Sequence, residues 1–203
     1  RPELTIICPM GDGDALAIGG NHFIHAARRN IDITVIILNN RIYGMTGGQY
    51  SPTTGCGLAA TTAPYSTIDE PFDAVRLATA AGATFVARTT TYHVMEIEKL
   101  LKQAISHHGF SVVEVLSQCP THFGRRNESP EAADMLRVFK ERTVKVGEGQ
   151  AAGNDAEPGE LIPRGVFVDV ERPEYCDEYQ KVIDRAQRVA PSAGAGSPGK
   201  GGA

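Results

Sequence analysis

The chain has 203 residues, of which 41% are hydrophobic, so it is long enough and apolar enough for one sizeable α/β domain with a packed core. Its formal net charge is −4, which argues against nucleic acid or an anionic membrane surface as the main partner. No apolar run approaches the length of a membrane span. From the net charge and the lack of such a run, we expect neither a nucleic-acid partner nor a membrane partner.

The cysteines of the chain lie far apart and form no C-x-x-C pair. They are Cys8, Cys56, Cys119 and Cys176. This spacing indicates neither a self-contained zinc site nor a disulfide framework, and it is typical of a protein in the reducing cytoplasm. Because the chain begins at Arg1 and enters an apolar run almost at once, we expect its N-terminal part to be missing.

The first predicted unit is a strand, a loop, a helix and a second strand. The apolar, β-rich runs at 3–8 and 32–38 predict two parallel strands buried on both faces, and 15–29 predicts the helix between them. The next segment, 39–70, is rich in Gly, Thr, Ser and Pro. A loop of that length inside a compact domain is usually functional.

Regular structure is predicted to return with a helix that has Asp69 as its N-cap and Pro71 in its first turn, and that ends near Ala81. Further strands are predicted at 83–88 and 110–116, with a helix at 92–107. This alternation of strands and helices favours an α/β fold with a doubly wound, mostly parallel sheet.

The segment after residue 127 is predicted to be distinct from this α/β domain. Its pattern indicates a helix at 130–142, a polar linker at 147–160, a strand at 165–170 and a helix at 174–187. We therefore divide the chain into a domain at 1–127, a C-terminal helical and extended segment at 128–190, and a low-complexity tail at 191–203 that we expect to be disordered.

A glycine-rich loop, MGDGDALAIGGNH at 10–22, follows the first predicted strand. Such loops commonly bind phosphate, yet this one carries Asp12 and Asp14, whose negative charge would repel an anion. In a doubly wound sheet ligands bind beyond the carboxyl ends of the strands, and Asn39 and Asn40 lie just past the second strand. If the two strands are neighbours, Asp12 and Asn40 converge on one point. Carboxylate and amide oxygens suit Mg²⁺, which would allow the carboxylate to lie beside a phosphate.

Two other phosphate-binding motifs do not match this loop. A Walker loop requires Gly-Lys followed by Ser or Thr, which is absent from the sequence. A dinucleotide-binding fingerprint requires Gly where the chain has Leu16, and an acidic residue after the second strand, where Asn39 and Asn40 stand. An ordinary βα turn with an aspartate cap stays open as the alternative.

The GDGD at 11–14 and the NN at 39–40 resemble the motif by which enzymes bind thiamine diphosphate and magnesium. The string NNRIYGMTGGQYSPTTG at 39–55 is more specific. It resembles the β subunits of the 2-oxoacid:ferredoxin oxidoreductases, and most of all those that act on 2-oxoglutarate. The likeness covers residues 4–127 and implies a thiamine diphosphate-binding fold.

The resemblance implies a set of cofactor-binding residues. The Mg²⁺ ligands would be the side chains of Asp12 and Asn40 and the main-chain carbonyl of Ile42. Contacts with the diphosphate, and with the cofactor from its other side, would come from Gly11, Gly13, Asp14, Gly44, Met45 and Thr46. In this family the glutamate that activates the cofactor belongs to a partner α chain, so we assign no catalytic acid or base here.

The string QCPTHF at 118–123 carries a second resemblance. In this family a cysteine in a Cys-Pro-Thr context is one of four ligands of a 4Fe-4S cluster, and Cys119 has that context. The resemblance implies that the other three ligands lie before the GDG motif, in a region that is not in this chain. One cysteine alone cannot hold a cluster, so the cluster is an expectation about the complete subunit. The alternative for Cys119 is a buried structural thiol, which is the role we expect for the other three cysteines.

The resemblance also implies a reaction. The enzyme would decarboxylate a 2-oxoacid oxidatively, transfer the acyl unit to coenzyme A and pass electrons through iron and sulfur to ferredoxin. Its partners would be an α subunit, ferredoxin, coenzyme A and the 2-oxoacid substrate. Some members carry a lysine where this chain has Gly47, and that lysine can meet the substrate carboxylate. The TGGQ sequence here resembles the 2-oxoglutarate type, although a glycine contacts no carboxylate.

Other functions stay open at this point. The same chemistry on pyruvate, a branched-chain 2-oxoacid or indolepyruvate is the first alternative. A non-redox thiamine diphosphate lyase or synthase is the second, although the Cys-Pro-Thr context argues against it. A Mg²⁺-nucleotide binding module, or a truncated chain that is inactive alone, is the alternative outside enzymology.

Overall fold

The computed structural model describes residues 4–146 and 161–189, so the predicted linker at 147–160 and tail at 191–203 lie outside the described residues. The described strands, in chain order, are β1 (Ile7–Gly11), β2 (Ile33–Asn39), β3 (Ile42–Tyr43), β4 (Gln49–Tyr50), β5 (Phe85–Thr90), β6 (Phe110–Leu116), β7 (Thr143–Lys145) and β8 (Ile162–Asp169). The described α-helices are α1 (Gly20–Arg29), α2 (Ala74–Ala81), α3 (Val94–Ser106), α4 (Ala132–Glu141) and α5 (Tyr175–Val189).

Six of the described strands form one sheet in the order β1-β2-β6-β5-β8-β7. The first four are parallel to one another, β8 runs antiparallel to β5, and β7 is parallel to β8. The mostly parallel sheet, covered by helices, confirms the predicted α/β fold. Because parallel strands end at the same edge, the loops that follow β1, β2 and β6 meet there.

The central strands are buried along their whole length, because helices cover both of their faces. Every residue of β5 and β6 is buried, which is typical of strands inside a parallel sheet. On one face α1 and α2 complete a core in which Phe23 meets Phe110 edge to face, with 5.6 Å between ring centroids. On the other face α3 places Leu100 and Ala104 in a core with Val113.

β1 differs from its prediction in both position and burial. The strand predicted at 3–8 is found at Ile7–Gly11, and the expectation that it is buried on both faces is wrong. Ile6 and Ile7 are 50% and 43% exposed, because β1 is an edge strand of the described sheet. The shift extends the strand to Gly11, so that Asp12 follows it directly.

α2 begins later than predicted, with Asp73 as its N-cap. The Asp73 carboxylate accepts a hydrogen bond from the backbone N–H of Arg76 at 3.0 Å. The same oxygen accepts from Nη2 of Arg88, on β5, at 2.7 Å. The predicted start, with Asp69 as cap and Pro71 in the first turn, is therefore wrong, since a contact from a distant strand selects Asp73.

The helix predicted at 15–29 is interrupted near its start. Asp14–Ile18 forms a π-helical turn, and α1 begins after it. The backbone N–H of Gly19 donates to the carbonyl of Asp14 at 2.8 Å, and a Cβ at Gly19 would lie 2.3 Å from that oxygen. Glycine is therefore required at this junction. Turns of this kind are frequent at functional sites.

The C-terminal segment joins the main sheet. α4, β8 and α5 correspond to the predicted helix at 130–142, strand at 165–170 and helix at 174–187. β8 pairs with β5, and the segment before α5 is attached through Asn30, whose side-chain amide donates to the carbonyls of Arg172 and Pro173. The division of the chain at residue 127 stays a prediction.

Candidate functional site

Asp12 lies at the carboxyl edge of the sheet, where β1 and β2 end side by side in parallel register. The residue is 2% exposed. Burial raises the pKa of its carboxyl group, while hydrogen bonds from the side chains of Ser51 and Thr53, and from the backbone at Asp12 and Asn40, lower that pKa. A buried carboxylate whose charge is disfavoured by burial is a group that a bound cation would stabilise.

Two hydroxyl groups hold one oxygen of the Asp12 carboxylate. Ser51 Oγ donates to Oδ2 at 2.5 Å and Thr53 Oγ1 donates to the same atom at 2.6 Å. A third hydroxyl, that of Thr54, fixes the loop, because it accepts from the backbone N–H of Ser51 and donates to the carbonyl of Arg41. Both side-chain donors to Asp12 therefore share one oxygen of the carboxylate.

A line of buried polar side chains continues from Asp12 across the sheet. Thr53 Oγ1 contacts Asn39 Oδ1 at 2.9 Å, and Asn39 Nδ2 donates to Glu114 Oε1 at 2.7 Å. The other Glu114 oxygen accepts from Arg88 Nε at 2.5 Å. All of these side chains are buried, so the candidate site is anchored in the core of the domain.

The segment after β2 turns back as a short hairpin of β3 and β4, which was not predicted within the long loop. Its first turn is closed by Asn40, whose side-chain oxygen accepts from the backbone N–H of Ile42 at 3.1 Å. Arg41, between them, has a φ of +62°, which is uncommon for a residue other than glycine. Asn40 and Ile42 therefore share one turn, and the backbone of Asn40 is within hydrogen-bonding reach of Asp12.

The hairpin packs on the glycine-rich loop through Tyr43. The Tyr43 hydroxyl donates to the carbonyl of Gly13 at 3.2 Å, and a Cβ at Gly13 would lie 2.2 Å from the Tyr43 ring. This close approach requires glycine. The backbone N–H of Gly11 donates to the carboxylate of Asp14 at 3.2 Å, so Asp14 closes the loop while its side chain faces solvent.

Gly44, Met45 and Thr46 lie at the tip of the hairpin. Met45 is 100% exposed. The Thr46 hydroxyl donates to Gln49 Oε1 at 2.8 Å, and Gln49 Nε2 donates to the carbonyl of Thr46 at 2.9 Å. Gly47, between them, has a φ of +117°, a conformation that residues with a side chain rarely adopt. The structure thus places two of these predicted residues in an ordered turn and leaves Met45 in solvent.

The chain is similar in sequence to a known protein family and to several known proteins. Residues 1–115 match the family model described as thiamine pyrophosphate enzyme, C-terminal TPP binding domain. The 2-oxoglutarate synthase subunit KorB of Methanocaldococcus jannaschii is 48% identical, over 91% of this chain and 68% of its own length. The 2-oxoacid:ferredoxin oxidoreductase subunit beta of Saccharolobus solfataricus is 44% identical, over 82% of this chain and 58% of its own length. The chain belongs to the 2-oxoacid:ferredoxin oxidoreductase β subunits.

A solved structure also matches this β subunit. It is the 2-oxoglutarate:ferredoxin oxidoreductase from Magnetococcus marinus with 2-oxoglutarate, coenzyme A and succinyl-CoA bound. The TM-score is 0.79 at 30% sequence identity, and the match covers 95% of this chain and 66% of that chain. The chain therefore spans about two thirds of the length of the M. jannaschii and M. marinus relatives.

Cys119 lies beside the hairpin tip of the β subunit. It follows β6 and is half-buried, and a Cβ at Gly44 would lie 3.8 Å from its Sγ. Its carbonyl accepts from the backbone N–H groups of Phe123 and Gly124 at 3.1 and 2.9 Å, which makes the Cys-Pro-Thr segment an ordered turn. Among the His, Cys, Asp and Glu side chains of 4–146 and 161–189, those that lie three together and closely enough to share a cation are His108, Glu174 and Asp177. Cys119 does not belong to this group. The described residues alone therefore do not complete a cluster site at Cys119.

The donors at the carboxyl edge suit Mg²⁺ bound to a diphosphate. A buried carboxylate, a side-chain amide and a main-chain carbonyl are hard oxygen ligands, which Mg²⁺ prefers. Glycine at position 44 also leaves space in the site, since a Cβ there would lie 3.7 Å from Nδ2 of Asn40. The chemistry of the donor set therefore agrees with the predicted cofactor.

A cavity of about 660 Å³ borders the polar network, with Asn39, Thr53 and Glu114 in its wall. Its charged lining residues are Arg41, Glu70, Asp73, Arg76, Arg88 and Glu114. Positive and negative groups are present in equal number, so the lining carries no net formal charge.

The side chains that hold Asp12 in place were not predicted. Ser51 and Thr53 belong to the SPTTG string, whose hydroxyl-rich composition alone assigned them no role. Arg88 and Glu114 lie at paired positions of β5 and β6, two strands that are buried along their whole length. A charged residue of each sign in two neighbouring buried strands is a signal for an internal ion pair, and it was present in the sequence.

Proposed function

We propose that this β subunit provides the thiamine diphosphate and Mg²⁺ site of a 2-oxoglutarate:ferredoxin oxidoreductase. The observation that carries the proposal is the buried Asp12 carboxylate, held at Oδ2 by Ser51 and Thr53 and lying beside the Asn40 turn. The thiamine pyrophosphate-binding family match over residues 1–115 supports it independently.

Each residue of the carboxyl edge has one task in this proposal. Asp12 and Asn40 bind Mg²⁺ through their side chains, and Ile42 binds it through its carbonyl. Other groups of this edge contact the diphosphate or line the other side of the cofactor. They belong to Gly11, Gly13, Asp14, Gly44, Met45 and Thr46. When bound, thiamine diphosphate supplies the carbanion chemistry needed to decarboxylate a 2-oxoacid. We assign no catalytic acid or base to this chain.

Cys119 is proposed as one ligand of a 4Fe-4S cluster that passes electrons to ferredoxin. Its position next to Gly44 supports this role, because it would place the cluster close to the proposed cofactor. The other ligands must come from residues outside the described part of the chain, since a cluster of this type has four cysteine ligands.

The substrate and partners are inferred from the relatives. Several are named 2-oxoglutarate synthase, and the solved structure contains 2-oxoglutarate and coenzyme A. Because Gly47 offers no charge, the distal carboxylate of the substrate must be bound by another group, which we assign to a partner α subunit. No helix in the described ranges combines the length and apolar character needed to cross a bilayer. We place the enzyme in the cytoplasm, as the cysteine spacing suggests.

The test is coenzyme A-dependent reduction of ferredoxin or a viologen dye by the purified complex of this subunit with its α partner. The substrates 2-oxoglutarate, pyruvate, 2-oxoisovalerate and indolepyruvate are supplied in parallel. We expect a clear preference for 2-oxoglutarate.

Other outcomes separate the alternatives. A preference for another 2-oxoacid would keep the chemistry and overturn the substrate. No reduction with any of the four, from a complex shown to contain thiamine diphosphate and iron, would overturn the redox function. Thiamine diphosphate without iron in the complete subunit would favour a non-redox thiamine enzyme.

A further inference from the structure

Glu114 and Arg88 form an ion pair inside the sheet, and the proposed metal site does not itself require one. They occupy paired positions of β6 and β5 and are 1% and 5% exposed. A buried ion pair commonly contributes less stability than apolar residues of the same volume, because both charges lose their hydration. The pair is therefore expected to serve a purpose other than stability.

The second Glu114 oxygen fixes the orientation of Asn39. Glu114 Oε1 accepts from Asn39 Nδ2 at 2.7 Å, and a carboxylate held by Arg88 can only accept. The amide nitrogen of Asn39 must therefore face Glu114, which turns its oxygen the other way. That oxygen accepts from the backbone N–H of Arg41 at 3.0 Å and contacts Thr53 Oγ1 at 2.9 Å.

Asn39 is thus connected to the turn that carries two of the proposed metal ligands. Its side-chain oxygen accepts from the backbone N–H of Arg41 and so holds the turn that carries Asn40 and Ile42, in which Arg41 keeps its φ of +62°. A rotation of the Asn39 amide would place a donor against this N–H. Thr53 Oγ1 also lies near Asn39 Oδ1, but its single proton is donated to Asp12 Oδ2, so the connection runs through Arg41.

We propose that Glu114 is a positioning residue for the metal site, acting through Asn39 on the Asn40–Ile42 turn. Glu114 itself touches neither metal nor cofactor. This inference rests on the proposed function, because it concerns the geometry of the same Mg²⁺ site. Groups that orient metal ligands in this way typically contribute 10- to 100-fold in metal affinity.

The test is Glu114→Gln in the assembled complex of this subunit with its α partner. The amide of glutamine presents a donor to Arg88 or to Asn39, so Asn39 loses its fixed orientation. We expect Mg²⁺ to bind about 10- to 100-fold more weakly in the presence of thiamine diphosphate, measured by titration calorimetry. Mn²⁺ in place of Mg²⁺ is expected to give an altered electron paramagnetic resonance spectrum.

Val113→Ala is the matched control, because Val113 neighbours Glu114 on β6 and packs in the core on the opposite face of the sheet. It is expected to lower the melting temperature and leave the Mg²⁺ affinity and the Mn²⁺ spectrum unchanged. Asn39→Leu is a second test, because it leaves the ion pair intact and removes the acceptor for the N–H of Arg41. It should weaken Mg²⁺ binding to an extent similar to Glu114→Gln.

The outcomes distinguish this inference from the proposed function. If the wild-type complex does not bind thiamine diphosphate with Mg²⁺, the proposed function is wrong. If it does bind, and Glu114→Gln stays within about twofold of wild type, the positioning role is wrong, since orienting groups typically contribute about tenfold or more. If Glu114→Gln does not fold, Asn39→Leu decides by the same criterion. An equal loss of affinity in Val113→Ala would also overturn the proposal.

Discussion

The two edges of the sheet each gather carboxylates, yet they use them differently. At the carboxyl edge, Asp12 is 2% exposed, and the side-chain hydroxyls of Ser51 and Thr53 share its Oδ2. At the amino edge, Glu174 is 3% exposed, and both of its oxygens accept backbone N–H groups. Burial alone therefore does not make a carboxylate a metal ligand. The two carboxylates differ in what surrounds them: Asp12 lies beside the Asn40 turn, whereas Glu174 holds the first turn of a helix.

The amino-edge carboxylates instead attach α5 to the sheet. Glu174 accepts from the N–H of Asp32, which precedes β2, and from the N–H groups of Cys176 and Asp177 in the first turn of α5. His108 lies between Asp177 and Asp32, with its Nε2 2.9 Å and its Nδ1 3.4 Å from their carboxylates. This cluster looks like a cation site, yet its geometry is that of a helix attachment.

The largest expected effect is at Asp12. Asp12→Asn removes the charge but not the shape of the side chain, and we expect Mg²⁺-dependent thiamine diphosphate binding to weaken by about 100-fold or more, since metal charge stabilisation is worth several kcal/mol. Because burial raises the pKa of Asp12, the folded protein disfavours its charge, so the melting temperature of the metal-free protein should not fall. Calorimetric titration and thermal denaturation measure the two effects.

Asp69→Asn is the control for this change, because Asp69 is exposed and lies outside the site. It should alter neither quantity. An Asp12→Asn protein with unchanged affinity would show that Asp12 is not a metal ligand.

The next effect concerns the contact between the glycine-rich loop and the hairpin. Gly13→Ala would place a Cβ 2.2 Å from the Tyr43 ring, and we expect the free energy of unfolding to fall by about 1–3 kcal/mol. Urea denaturation measures it. Gly20→Ala is the matched control in the same segment, because a Cβ there meets nothing within 4 Å. Gly20 lies in α1, so alanine should raise stability by about 0.5–1 kcal/mol. Equal effects of the two substitutions would contradict the hairpin packing.

A smaller effect is expected at the amino edge. Glu174→Ala removes the acceptor for the first turn of α5, and loss of such a cap typically costs about 0.5–2 kcal/mol. Mg²⁺ and thiamine diphosphate binding should stay unchanged, which is the opposite of the result expected for Asp12→Asn. The exposed Glu171, replaced by alanine, serves as the control. Weaker cofactor binding by Glu174→Ala would show that the two edges are coupled.

The smallest expected effect is a pH dependence from His108. Its hydrogen bond to Asp177 raises the pKa of His108 above the ordinary 6.5. The protonated ring therefore stabilises the folded state below about pH 6.5, and this contribution is lost as the pH rises through the raised value. Since the side chain is 62% exposed, we expect only about 0.2–1 kcal/mol. The difference in unfolding free energy between wild type and His108→Gln, followed from acid to alkaline pH, should decrease. A difference independent of pH would contradict the pairing.

The sequence predicted the bounds of an element correctly where the element is buried along its whole length. It failed where contacts with distant residues set those bounds. The run FSVVEVL predicted a strand at 110–116, and β6 has those bounds because it is covered on both faces. The run at 3–8 looked equally apolar, but β1 lies at an edge, and its hydrogen bonding with β2 sets its limits at Ile7–Gly11. Asp69 and Asp73 were both possible helix caps, and Arg88, fifteen residues beyond Asp73, selected the second.

The candidate site shows the same contrast between features that the local sequence predicts and features that distant contacts determine. Asp12 and Asn40 could be paired from the sequence because both follow adjacent parallel strands. Ser51 and Thr53 could not be assigned, since the loop returns to Asp12 only after the unpredicted hairpin. Glu114 was visible as a charge within a buried strand, but its connection through Asn39 depends on amide orientation, which no sequence pattern encodes.

The two glycines at the hairpin tip limit how the substrate preference of such an enzyme can be changed. Gly47 and Gly48 have φ values of +117° and +87°, and a Cβ at Gly48 would lie 2.9 Å from the His122 ring. A lysine placed at position 47 alone would adopt a strained backbone, at a cost of about 1–3 kcal/mol. Redesign towards the lysine-bearing type therefore has to exchange the whole turn between Thr46 and Gln49. In evolution, too, the loop is expected to be inherited as a unit, because a single substitution within it disturbs its backbone conformation.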